Sequence, residues 1–128
     1  APVYISREIK GADGKTEALE IDEDFDRAWR RVGVGLDRVG LNIEDRDRSA
    51  GIYYIRYLDP DYEVKKRNDE GLFSRWFSKE KPVDAPLYRV KLVSDGNKTT
   101  VTAMPDSDKT DPLSTSARIL NLLQEQVR

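Results

Sequence analysis

The chain has 128 residues, enough for one hydrophobic core and too few for two ordinary ones. Its 22 basic and 24 acidic side chains give a net charge of −2, without the basic excess that phosphate binding needs, so no nucleic acid is expected as a partner. Cysteine and histidine are both absent, which excludes disulfides, thiol catalysis, thiolate metal sites and imidazole as general base or ligand.

Hydrophobic residues make up 38% and charged residues 36% of the chain, which suits a folded domain with a modest core and a heavily solvated surface. No apolar run reaches the roughly 20 residues that a membrane-spanning helix requires. Residues 1–16 read as a flexible lead-in, with a short β-prone run at Val3-Tyr4-Ile5 and a turn-rich stretch from Gly11 to Lys15. A single domain is expected over 17–128.

Ala18-Leu19-Glu20-Ile21 suits a short strand, and Asp22-Glu23-Asp24 then supplies carboxylates where a helix N-terminus has unpaired N–H donors. In that helix Phe25, Ala28, Trp29, Val32, Leu36 and Val39 fall on one stripe, with Gly40 as the C-terminal stop. Gly33 and Gly35 inside the helix each cost about 1 kcal/mol against alanine unless something packs closely there. They are not a phosphate loop, because the third glycine is missing and the pair lies within a helix.

Two runs, Leu41 to Asp47 and Gly51 to Leu58, flank a glycine-containing turn and predict a β-hairpin. In the second run Tyr53, Ile55 and Tyr57 share one face, and Ile52, Tyr54 and Arg56 share the other. Both faces are therefore partly apolar, one for packing on helices and one partly exposed. Residues 59–85 break the periodicity and read as a mobile insertion, with Leu72, Phe73, Trp76 and Phe77 as a concentrated apolar patch. A second hairpin joins Leu87–Val93 to Lys98–Met104 through Ser94-Asp95-Gly96-Asn97, with Tyr88, Val90 and Leu92 alternating with Leu87, Arg89, Lys91 and Val93. Asp111-Pro112 then predicts a helix start, with a seam of Leu113, Ala117, Leu120, Leu123 and Val127.

The predicted order, β-α-β-β-β-β-α with the insertion in the middle, suits an α+β helix-grip fold: an antiparallel sheet with both helices packed on one face. The face bearing Ile52, Tyr54 and Arg56 would be left open. Together with Leu72, Phe73, Trp76 and Phe77 these residues form the predicted partner-binding set, since exposed aromatic clusters act as anchors.

Asp45 and Asp47 share a strand face but have no histidine, third ligand or phosphate loop beside them, and a solvated strand end explains them. The stretch from Asp106 starts like a calcium loop, yet its sixth position is Asp111 instead of glycine and its twelfth is Ala117 instead of glutamate. No catalytic, metal or cofactor residues are assigned. The competing reading is a small apolar ligand held between a helix and the curved sheet.

The stretches Phe25-Asp26-Arg27-Ala28-Trp29-Arg30-Arg31-Val32, Leu36-Asp37-Arg38-Val39-Gly40 and Glu44 to Tyr57 resemble the BamC (NlpB) lipoprotein family of Gram-negative outer-membrane assembly machinery. Within it the likeness is to the C-terminal of two helix-grip domains. That resemblance implies a non-enzymatic accessory subunit of the β-barrel assembly (BAM) complex. Its expected partners are other BAM subunits, and no small-molecule substrate is expected. It also implies localisation at the outer membrane through a lipidated cysteine, which would lie upstream of Ala1 because this sequence has none.

Overall fold

A computed structural model describes residues 4–57, 85–107, 111 and 114–128. In chain order the elements are β1 (Ser6–Lys10), β2 (Thr16–Ile21), α1 (Phe25–Arg38), β3 (Asn42–Asp47), β4 (Ile52–Arg56), β5 (Leu87–Asp95), β6 (Lys98–Pro105) and α2 (Thr115–Val127). The strands form one antiparallel sheet in the order β1-β2-β6-β5-β4-β3. Both described helices pack on the same face, as the α+β helix-grip reading requires.

Helix α1 starts at an Asp24 cap, whose Oδ1 accepts from the Arg27 N–H at 3.0 Å. It ends at Gly40 (φ +77°), where the Leu41 N–H donates to the Leu36 carbonyl at 3.0 Å and the Gly40 N–H to the Asp37 carbonyl at 3.1 Å. This double closure needs a left-handed residue, and Leu36 and Leu41 are both buried beside it. The 14 residues of α1 span about 21 Å, close to the roughly 19 Å of four strand spacings that separate β2 from β3. One helix therefore carries the chain across the sheet, and β3, β4, β5 and β6 step back until β6 lies beside β2.

Alternation decides what the helices cover. Tyr53 and Ile55 of β4, Tyr88, Val90 and Leu92 of β5, Val101 of β6, and Leu19 and Ile21 of β2 are buried against Trp29, Val32 and Leu36 of α1 and Ile119, Leu120, Leu123 and Val127 of α2. The space beneath the helices, where an apolar ligand would sit, is thus occupied by the domain's own side chains. The two internal glycines have identifiable neighbours. A Cβ at Gly33 would lie 2.5 Å from the Tyr53 hydroxyl, and one at Gly35 would lie 2.9 Å from Leu123 Cδ1 and 3.3 Å from Gln126 Cβ. Gly35 lets α2 approach α1, and Gly33 admits the tyrosine.

Two predicted boundaries change. Ser6–Lys10, assigned above to the lead-in, is a strand paired with β2. Its sequence has no apolar alternation to reveal it: Arg7 instead ties it down through Glu20 on the neighbouring strand and Asp22 just beyond that strand's end. The second helix begins at Thr115, later than Asp111-Pro112, because Ser114 turns into the left-handed region (φ 53°). Asp111 still caps it from outside, accepting from the N–H of Thr115 at 3.0 Å and of Ser116 at 2.9 Å. Ile119 joins the buried seam, whereas Ala117 is only half-buried. Most of the insertion predicted at 59–85, and Leu113 of the predicted seam, lie outside the described residues.

Candidate interaction surface

The strand pleat that buries Tyr53 and Ile55 turns Ile52, Tyr54 and Arg56 to the face that no described helix covers, and all three are half-buried. Register extends that face across the neighbouring strands. Asp47, Ile52, Lys91 and Thr102 form one row; Asp45, Tyr54, Arg89 and Met104 form the next; Asn42, Arg56 and Leu87 form a third. Val93 pairs with Thr100 further along and is 58% exposed, and Met104 is 37% exposed. Among the described residues the result is an open sheet face with apolar and aromatic groups set among cations.

Two of these cations, Arg56 and Arg89, lie against acidic neighbours. Arg56 Nε donates to Glu44 Oε1 at 2.7 Å and its Nη1 donates to the Ala85 carbonyl at 2.9 Å. Arg89 Nε lies 3.4 Å from Asp106 Oδ1, an ion pair without hydrogen-bond geometry that leaves the buried nitrogen unsatisfied. Toward β1, Arg7 bridges Glu20 and Asp22, and its hydrogen bonds hold both carboxyls below the usual carboxylate range. At the opposite edge β3 is nearly all polar and carries a bulge between Ile43 and Asp45, features that block edge-to-edge pairing.

Asp45 and Asp47 do share this face, and Asp47 is committed to its own turn. Its Oδ1 accepts from Ser49 Oγ at 2.7 Å and from the Ala50 N–H at 3.1 Å, which lowers its pKa. Among the described residues no cluster of three or more carboxylates is placed to hold a metal ion. Nor is any helix there long and apolar enough to cross a membrane.

Of the predicted partner-binding set, Ile52, Tyr54 and Arg56 come together as one patch, whereas Leu72, Phe73, Trp76 and Phe77 lie outside the described residues. Sequence reasoning missed that Arg89, Lys91, Val93 and Met104 belong to the same patch. The alternation of the second hairpin carried that signal, but strand register is needed to place its outward residues beside Ile52 and Tyr54.

The amino-acid sequence matches a known family over nearly its whole length. The model of the outer membrane protein assembly factor BamC-like C-terminal domain fits residues 8–127. The chain belongs to this family. The outer membrane protein assembly factor BamC of Accumulibacter regalis is 40% identical over 130 aligned positions, covering 99% of this chain and 33% of that protein. Its counterpart in Thiobacillus denitrificans is 41% identical over 126, covering 96% and 34%. BamC of Ferrimonas balearica is 26% identical over 130, covering 97% and 33%. This BamC-like chain thus spans about a third of the length of the curated relatives it matches.

Proposed function

We propose that this domain is a non-enzymatic protein-interaction module of an accessory factor for outer-membrane protein assembly, and that it contacts another subunit of the β-barrel assembly machinery through its open sheet face. The family match over residues 8–127 carries the assembly role, which the relatives' names state for those whole proteins. The contact surface rests on Ile52, Tyr54 and Arg56 together with Arg89 and Met104: an aromatic and apolar centre bordered by arginine is the composition that protein interfaces favour. Leu72, Phe73, Trp76 and Phe77 enter the proposal on their sequence alone, as a second anchor. Attachment to the outer membrane would come from a lipid-bearing segment upstream of this chain.

Against the small-ligand reading stands the filled layer beneath the helices, where Leu19, Leu36, Val101, Leu120 and Leu123 are fully or almost fully buried. Co-purification from cells tests the proposal. Full-length protein carrying Tyr54→Ala and Arg89→Ala should recover less of an assembly-machinery subunit at unchanged thermal stability, and undiminished recovery contradicts it.

A further inference from the structure

The solvent face of α1 carries a pattern that the open sheet face does not explain. Arg27, Arg30, Arg31, Val34 and Arg38 recur at three- and four-residue spacing, so they line the side of the helix opposite Val32 and Leu36. All four arginines are exposed, and Val34 among them is 47% exposed. With only Asp26 and Asp37 as acids, the helix is net +2 in a chain of net −2. Arg31 is paired with Glu23, and Asp26, on the flank, is taken by Arg48 at 2.7 Å. Among the described residues Arg27, Arg30 and Arg38 have no carboxylate within ion-pair distance.

Helix stability calls for only part of this arrangement, since Arg38 in the last turn suits the helix dipole but the other arginines do not. Like charges three and four residues apart repel, and Arg27 places a cation in the first turn, where the helix dipole favours anions. A partner that neutralises the stripe removes both penalties. We infer that the outer face of α1 docks an acidic helix of another protein, one presenting carboxylates at three- and four-residue spacing. A protein partner fits better than a lipid surface for two reasons. Every cation on the helix is arginine, whose planar fork binds carboxylates bidentately and is enriched at protein interfaces where lysine is depleted. A membrane-surface helix also turns its apolar face to the lipid, whereas that face of α1 is buried in the core and Val34 is its one exposed large hydrophobic residue. This surface lies across the molecule from the open sheet face, so either assignment stands if the other fails.

The test titrates the chain at low salt with a synthetic helical peptide bearing glutamates at positions i, i+4 and i+7, and separately with phosphatidylglycerol vesicles, following backbone amide shifts. Peptide-induced shifts are expected to cluster at Arg27, Arg30, Val34 and Arg38 and to fade as salt is raised. The triple variant R27Q/R30Q/R38Q should bind at least about tenfold more weakly. The charge-preserving R27K/R30K/R38K should fall between the two, and it supplies a folded comparison should the glutamine variant lose its structure. Absence of peptide binding, equal binding by wild type and the lysine variant, or binding to the vesicles alone would overturn the inference.

Discussion

The Tyr53 hydroxyl, carried by β4, donates to the main-chain carbonyl of Trp29 in α1 at 2.7 Å, and the two rings stack with centroids 3.9 Å apart. Phe25 extends the stack on one side at 5.6 Å, and the Arg46 guanidinium lies over Tyr53 at 5.9 Å. The sheet and the crossing helix are thereby joined by one side chain that is both packed and hydrogen-bonded. Tyr53→Phe should cost about 1 kcal/mol and Tyr53→Ala about 3–5 kcal/mol, measured by urea unfolding. Burial pushes the Tyr53 hydroxyl above the usual phenol range. The folded state therefore holds this proton more tightly than the unfolded chain. Stability should fall as pH rises past the ordinary phenol pKa of about 10, and Tyr53→Phe should flatten that decline.

Gly33 and Gly35 give opposing effects a clear winner. Alanine gains about 1 kcal/mol of helix propensity at either position. The new methyl at 33 meets Tyr53 Oη at 2.5 Å, and at 35 it meets the fully buried Leu123 at 2.9 Å. Overpacking of that kind costs about 1–3 kcal/mol, so both substitutions should be net destabilising. Gly33→Ala should be milder in a Tyr53→Phe background, where the nearest remaining atom would lie at 3.1 Å. Additive effects across that double-mutant cycle would show that the hydroxyl is not the obstacle.

Acid stability should depend on Arg7. Hydrogen bonds from Arg7 lower the pKa values of Glu20 and Asp22, and the Ser49 hydroxyl lowers that of Asp47. Carboxyls depressed in the fold contribute stability above their unfolded pKa values of about 4, and that contribution is lost as pH falls through the folded values. In Arg7→Gln, carboxyl carbon shifts should show Glu20 and Asp22 returning toward ordinary titration while Asp47 stays low. The acid limb of the stability curve should flatten accordingly.

The start of α2 divides two roles between two residues. Asp111→Ala removes the acceptor for two helix N–H groups and should cost about 1 kcal/mol. Ser114 caps nothing with its side chain and holds a left-handed conformation, so Ser114→Gly should be neutral or stabilising in thermal unfolding.

Much of this architecture is legible in the chain itself. The α1 stripe, its Asp24 and Gly40 ends and both hairpins follow from apolar spacing and turn chemistry. β1 was hidden because it is an edge strand held by Arg7 and backbone pairing, with Ser6, Glu8 and Lys10 where a hydrophobic signal would have to be. The start of α2 lies beyond the predicted Asp111-Pro112 because Asp111 caps across a left-handed turn and not from the adjacent position. The proposed interaction surface is half visible in the sequence: alternation puts Ile52, Tyr54 and Arg56 on one face. Only strand register sets Tyr54 opposite Arg89 and Arg89 opposite Met104.

The proposal that the open face meets the assembly machinery is tested most directly by site-specific photo-crosslinking in intact cells. A photoreactive residue at position 54 of the full-length protein should crosslink to a subunit of the β-barrel assembly machinery, and one at the exposed Glu125 of α2 should not. No adduct from position 54, or the same adduct from both positions, would contradict it.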